Sequence, residues 1–408
     1  EAYVLPPQAL MHLYEQVGRA YELVMERRRA LECYEEMLVA ARARGLPAME
    51  CAALNRQATL LVQDLRHLAR ADALLRAALA VAERSGNRSG LAETEWNLAM
   101  LDFYTWDPEG AVAHGGRALA LARELGEPEL TARILDVLAY SQYQLGRWFE
   151  AEAAAGEGRR LFAEFGNRVL EAGCLVLLAR VDLARGRPQR GLETARAAYA
   201  MSRSTEHSWA QANSAKEVAA ALLETGEYGP ALETARDAVA LARDAGFIPL
   251  LVAALVVLGR ACRTLVLLEE ARTTQLEAAR LNDDLKSPLY AEAIATELCA
   301  VEATAGRWAA AHDCARQALA ARTYRTAYPG LTRWYETEAL ARAGELELAR
   351  ADLLSFAGQP GFSPRARLQY LRGLAALAAH TGDLDEARRN LREARRLARR
   401  IRLPGELW

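Results

Sequence analysis

An excess of charge is the first thing this 408-residue sequence lacks: 51 basic side chains against 53 acidic ones leave a net charge of −2. Bulk electrostatics therefore gives no pull toward nucleic acid or an anionic membrane. Aromatic residues amount to 7%, while Ala and Leu dominate, which suits helix-on-helix packing better than a sheet. The longest apolar run, residues 248–259, is too short for a bilayer, which needs about 20 residues per helix. With no secretory leader pattern either, a cytoplasmic protein is expected. The six cysteines, at 33, 51, 174, 262, 299 and 314, show no short pairing that would bind zinc or cycle between thiol and disulfide; they are expected to be small buried hydrophobes. His312 and Cys314 are two apart on a helical stretch and so do not face each other. No Gly-Lys-Ser/Thr phosphate loop, Gly-x-Ser-x-Gly turn or His-Glu-x-x-His pair occurs, so neither an enzyme nor a cofactor is expected.

What the sequence has is a ruler. Gly146, Gly186, Gly226 and Gly306 stand at multiples of forty, followed by Gly344 and Gly382 at intervals of thirty-eight. Five residues after each comes a small side chain: Ala151, Gly191, Ala231, Ala311, Ala349 and Ala387. The same ruler gives Ala71, Ala111 and Ala271 behind turn positions occupied by Arg66, Trp106 and Val266, and places Glu26 at a first turn with Leu31 in the small-residue slot. A second landmark closes the units at Gly45, Gly86, Gly126, Gly166, Ser204 and Gly246. Apolar residues between the landmarks recur at helical spacing, as in Leu130, Ile134 and Leu138. Proline marks the first turn of leading helices at 47, 128, 249, 288 and 364, where a missing N–H costs nothing. Each unit is thus a helix, a tight turn and a second helix, and a period of this length means a solenoid. The small residue lets two antiparallel helices approach. The units predicted are 8–45, 46–86, 87–126, 127–166, 167–205, 206–246, 247–285, 286–325, 326–361 and 362–402, forming one continuous array with 403–408 opening a further unit.

Three turns read Gly146-Arg147-Trp148, Gly226-Glu227-Tyr228 and Gly306-Arg307-Trp308, and Leu followed by a small residue precedes the turn at Leu98-Ala99, Leu138-Ala139, Leu178-Ala179 and Leu258-Gly259. These marks resemble the tetratricopeptide repeat in a long form of about forty residues; the pair at Glu336-Thr337 departs from them. The resemblance implies an all-α right-handed superhelix of about ten helical pairs. The phrasing Ala-Arg-Glu-Leu-Gly at 122–126 and Ala-Arg-Asp-Ala-Gly at 242–246 is similar to the repeats of bacterial multidomain ATPase regulators. That implies a sensor or scaffold arm joined to an ATPase and output domain elsewhere in a larger protein, with a free-standing scaffold as the alternative. Glu1 is not an initiator methionine, which fits a segment of something longer, and Trp408 would then be an apolar patch where the array is cut.

In arrays of this type the ligand lies on the inner surface formed by the leading helices. The family register selects Glu93, Trp96, Met100, Phe103 and Tyr104, then Arg133, Asp136, Tyr140 and Tyr143, then Arg180, Asn213, Lys216, Arg260 and Arg263. The expected groove is aromatic at one end and basic in the middle, suited to a protein, peptide or small effector: aromatics anchor apolar groups, while Arg, Lys and Asn hold carboxylates or carbonyls. The competing reading is that these aromatics are core. The arginine run from Arg388 to Arg402 has no aromatic between its cations, so a solvated terminal helix is expected there instead of a nucleic-acid surface.

Overall fold

The structure is a computed structural model that describes residues 5–24, 26–62, 67–322, 332–359 and 362–404. Among these the regular structure consists of twenty α-helices, as the ruler predicts. The chain divides into two compact units, residues 1–141 and 142–408. The first holds α1 (Pro7–Leu23), α2 (Arg27–Arg44), α3 (Pro47–Val62), α4 (Leu68–Ser85), α5 (Arg88–Tyr104), α6 (Pro108–Leu125) and most of α7 (Pro128–Gln144). To the second belong α8 (Trp148–Glu164), α9 (Arg168–Ala184), α10 (Pro188–Arg203), α11 (Ser208–Thr225), α12 (Tyr228–Ala245), α13 (Ile248–Thr264), α14 (Leu268–Leu285), α15 (Pro288–Thr304), α16 (Trp308–Ala321), α17 (Arg333–Arg342), α18 (Leu346–Ala357), α19 (Pro364–His380) and α20 (Leu384–Arg400).

From α5 onward the tight turn has one chemistry. After α7, Gly146 sits at φ +70°; its N–H donates to the Tyr143 carbonyl at 3.0 Å, and the Arg147 N–H donates to Gln142 at 2.9 Å. This pair of bonds satisfies helix-end carbonyls and requires a left-handed residue, for which glycine is the unstrained choice. Trp106 and Val266 hold the same conformation at φ +65° and +62°, with matching bonds from Asp107 to Asp102 (2.8 Å) and from Leu267 to Cys262 (2.9 Å). The ruler thus holds where its glycine is missing, at a cost in strain. At the unit-closing landmark Lys286 is likewise left-handed, whereas Ser204 is not. Asn87, Asp107, Asn167, Ser287, Ser363 and Asp383 cap the helices that follow them.

The small residues lie where the paired helices touch. Ala71, Ala111, Ala151, Ala231, Ala271 and Ala311 are wholly buried. At Gly191 the approach is closer still, since a Cβ there would meet Leu183 Cδ2 at 2.7 Å. In the first unit the expected register is one residue late: Glu26 is the N-cap of α2, the role Arg147 plays after Gly146, and the buried small residue is Ala30 instead of Leu31. Arg66 and residues 405–408, Trp408 among them, lie outside the described residues. The cysteines are buried except Cys314, which is partly exposed, and all six are free thiols. Among the described residues no helix is long and apolar enough to cross a membrane.

Leading helices pack on leading helices: α3 on α5 in the first unit, and α9 on α11, α11 on α13 and α13 on α15 in the second. Within each unit, among the described residues, trailing helices of successive pairs make at most marginal contact. Each unit therefore presents its leading helices on one side. The second unit also folds back on itself. Arg365, at the start of α19, donates through Nε to Glu224 Oε2 at 2.7 Å and through Nη2 to Oε1, both side chains being buried although 141 residues apart. Beyond α20, Ile401 and Pro404 lie against Gly186 and Gly226, and Gln189 Nε2 donates to the Arg402 carbonyl at 3.4 Å. The arginines of α20 are exposed while Ala387, Ala394, Leu397 and Ala398 face inward, the arrangement of a solvated terminal helix.

Candidate functional site

In the second unit the basic residues selected from sequence come together around acids. Arg180 Nε donates to Glu217 Oε2 at 2.8 Å and Arg180 Nη2 to Asn213 Oδ1 at 3.3 Å, while Lys216 Nζ donates to Glu217 Oε2 at 2.9 Å. Asn213, Lys216 and Glu217 are about 95% buried, which holds Lys216 down at about 8 by desolvation and by the neighbouring Arg180 charge, against the pull of Glu217. Two repeats further on the motif returns. Arg260 Nε donates to Glu297 Oε1 at 2.7 Å, Thr332 Oγ1 donates to the same oxygen at 3.3 Å, and Arg263 Nε lies 3.5 Å from Glu297 Oε2. Arg263 Nε is buried without a hydrogen bond, and so is Glu297 Oε2. Each cluster therefore sets two cations around one carboxylate on the leading helices. Lys216 and Arg260 are embedded in these networks, not extended into open space.

Glu217 and Glu297 were not singled out from sequence. They stand eighty residues apart, each thirty-seven after an arginine, so the forty-residue ruler applied to charges would have aligned them. A third hub explains the departure at Glu336-Thr337. Buried Glu336 accepts from Thr296 Oγ1 at 2.5 Å and from Arg322, which also donates to Glu292 at 2.9 Å and to Asp352.

The first unit has a different inner face. Arg133 sits over the Trp96 ring, its guanidinium 4.8 Å from the centroid, and Trp96 Nε1 and Arg133 Nε are both buried without hydrogen bonds. Burial raises Glu93, and Arg56 and Arg133 offset part of the rise; Arg56 in turn pairs with Glu15 at 3.7 Å. Behind this line of alternating charge, Asn55, Thr94, Asn97 and Thr59 exchange buried hydrogen bonds of 2.9–3.2 Å between α3 and α5. Further along, Phe103 packs edge-on against Tyr104 (centroids 5.4 Å apart) and Tyr140 (6.1 Å). Asp136, one turn before Tyr140 on α7 and near enough to Tyr104 for its charge to act there, is half-buried and is pushed up to about 7 by desolvation alone. Tyr143, in the second unit, is partly exposed; it tilts onto Trp148 at 5.2 Å and packs against the core cluster of Trp148, Ala151 and Val181. No cluster of three or more His, Cys, Asp or Glu with metal-binding geometry exists among the described residues.

No family model matches the sequence, and no curated protein does. Solved structures do. A Rap protein in complex with competence and sporulation factor superposes over 97% of this chain and 98% of its own, with a TM-score of 0.62 at 12% identity. The apo form of RapI covers 87% of this chain and 99% of its own, with a TM-score of 0.53 at 13% identity. For the apo quorum sensor NprR from B. thuringiensis the figures are 93%, 99%, 0.51 and 13%. At such identity the likeness is one of fold: this is an all-α helical-repeat array of tetratricopeptide type.

Proposed function

We propose that the protein is a ligand-binding repeat module that takes a peptide or an extended protein segment along its leading helices. The observation carrying this reading is the repeated cluster of the second unit, two cations on one buried glutamate at Arg180/Lys216/Glu217 and again at Arg260/Arg263/Glu297. A pattern that recurs at twice the repeat length sets paired cations on the leading helices at a fixed interval, which suits the regular carbonyls and carboxylates of an extended chain. The fold likeness to a Rap protein that was solved with a bound factor is in keeping with it. As a test, peptides selected from a random library on the full chain are titrated against Arg263→Gln, a change that leaves Glu297 paired with Arg260. A lost hydrogen bond to a charged group, about 1.5–3 kcal/mol, predicts roughly ten- to a hundredfold weaker binding. Unchanged affinity overturns the assignment.

The finer reading makes the module an arm of a bacterial ATPase regulator, biased between two states by its ligand. It is supported by the recurrent phrasing at 122–126 and 242–246. Sequencing the flanking coding DNA tests it: a nucleotide-binding loop in the same reading frame supports the arm, and its absence favours a free scaffold.

A further inference from the structure

One inner-face acid of the first unit has no counter-ion. Glu95 is held by His114 at 2.6 Å and by Arg117 at 2.8 Å, and Glu93 lies in the field of Arg56 and Arg133. Asp136 has no hydrogen bond or ion pair with any described residue, and no charged neighbour offsets its desolvation. It is nevertheless partly exposed. The carboxyl is thus both desolvated and reachable from solvent.

The neighbouring side chains on α5 and α7 are aromatic. Tyr140 is one turn further along α7 and faces the same way. Phe103 stands edge-on to it at 61°, with Tyr104 edge-on to Phe103 at 71°. Tyr104, facing from α5, is close enough for the Asp136 charge to raise its hydroxyl further after burial has done so. The cation one turn earlier, Arg133, is turned to Trp96 and toward Glu93. Ring faces attract cations, and most strongly where water is excluded; a carboxylate at the base adds a charged hydrogen-bond acceptor. We infer that Phe103, Tyr104, Asp136 and Tyr140 form a site for a cationic group, the guanidinium or ammonium of a basic residue in the bound segment. The inference deepens the peptide-binding reading and rests on it.

The probe is arginine amide against citrulline amide, which has the same length and no charge. The full chain, labelled with 13C at aspartate carboxyls, is titrated by NMR, the Asp136 signal being assigned by its loss in Asp136→Asn. Free, the Asp136 carboxyl should titrate near pH 7. Saturating arginine amide should lower the midpoint by one unit or more, a tenfold or greater preference for the ionised form, while citrulline amide leaves it in place. By reciprocity arginine amide should bind at least tenfold more tightly above that midpoint than below it, and Tyr140→Leu should weaken it. An unmoved midpoint, or equal shifts with both amides, overturns the site. The two proposals fail separately: peptides that bind wild type and Asp136→Asn alike but lose Arg263→Gln leave the peptide reading standing and remove the cationic site.

Discussion

The fold-back of the second unit makes a quantitative prediction. Replacing Arg365 with methionine removes the bidentate cation from the buried Glu224 carboxylate; breaking such a pair costs about 3–5 kcal/mol. Because α19 and α20 meet the earlier repeats through this pair and a few contacts at Gly186, Gln189 and Gly226, the loss should appear as local detachment before global unfolding. In hydrogen exchange measured by mass spectrometry, amides of residues 364–404 should exchange roughly 10² to 10³·⁵ times faster, at about 1.36 kcal/mol per factor of ten. Amides of the first unit should be unaffected. The double variant Arg365→Met/Glu224→Met, which removes both charges, should recover most of the protection. Unchanged exchange in the single variant would refute the reasoning, and so would a double variant as labile as the single one.

Other substitutions test other parts. Val266→Gly should raise stability in urea unfolding by about 0.5–1 kcal/mol, relieving about 1–2 kcal/mol of left-handed strain less glycine's entropy cost; a loss would contradict the common turn. Ala231→Leu should cost about 1–3 kcal/mol by overpacking the helix pair, and a neutral result would discredit the close approach there. Lys216 is lowered on folding, to about 8 from an unfolded value near 10.4. Its charge therefore opposes folding below pH 8, and that penalty fades as pH rises from 8 to 10.4. Lys216→Met, which leaves Glu217 paired with Arg180, should then be the more stable variant at pH 7 by up to about 3 kcal/mol, and the advantage should shrink toward pH 10. A pH-independent difference would refute the linkage.

Local geometry was legible in the sequence because the repeat imposes the same steric demands every forty residues. The helix-pair contact needs a small residue and the turn a left-handed one, and both recur at fixed positions. The ruler failed by one residue at Glu26, where no glycine marks the turn; Ser204 closes its unit as expected, but with φ −80° and not in the left-handed conformation of the glycines. Charge pairing was not legible. Arg180, Lys216 and Arg260 were placed on the inner side, but whether a cation there is free or spent depends on Glu217 and Glu297 in the neighbouring repeat. The isolation of Asp136 is equally a property of what surrounds it, and the Arg365–Glu224 contact joins residues 141 apart with no local pattern to announce it.

The most direct test of a ligand on the leading helices is photo-crosslinking. A library-selected peptide bearing a diazirine is irradiated with the full chain, and the attachment sites are mapped by mass spectrometry. Attachment within α5, α7, α9, α11, α13 and α15 is predicted; attachment confined to the trailing helices α6, α8, α10, α12 and α14 would contradict it.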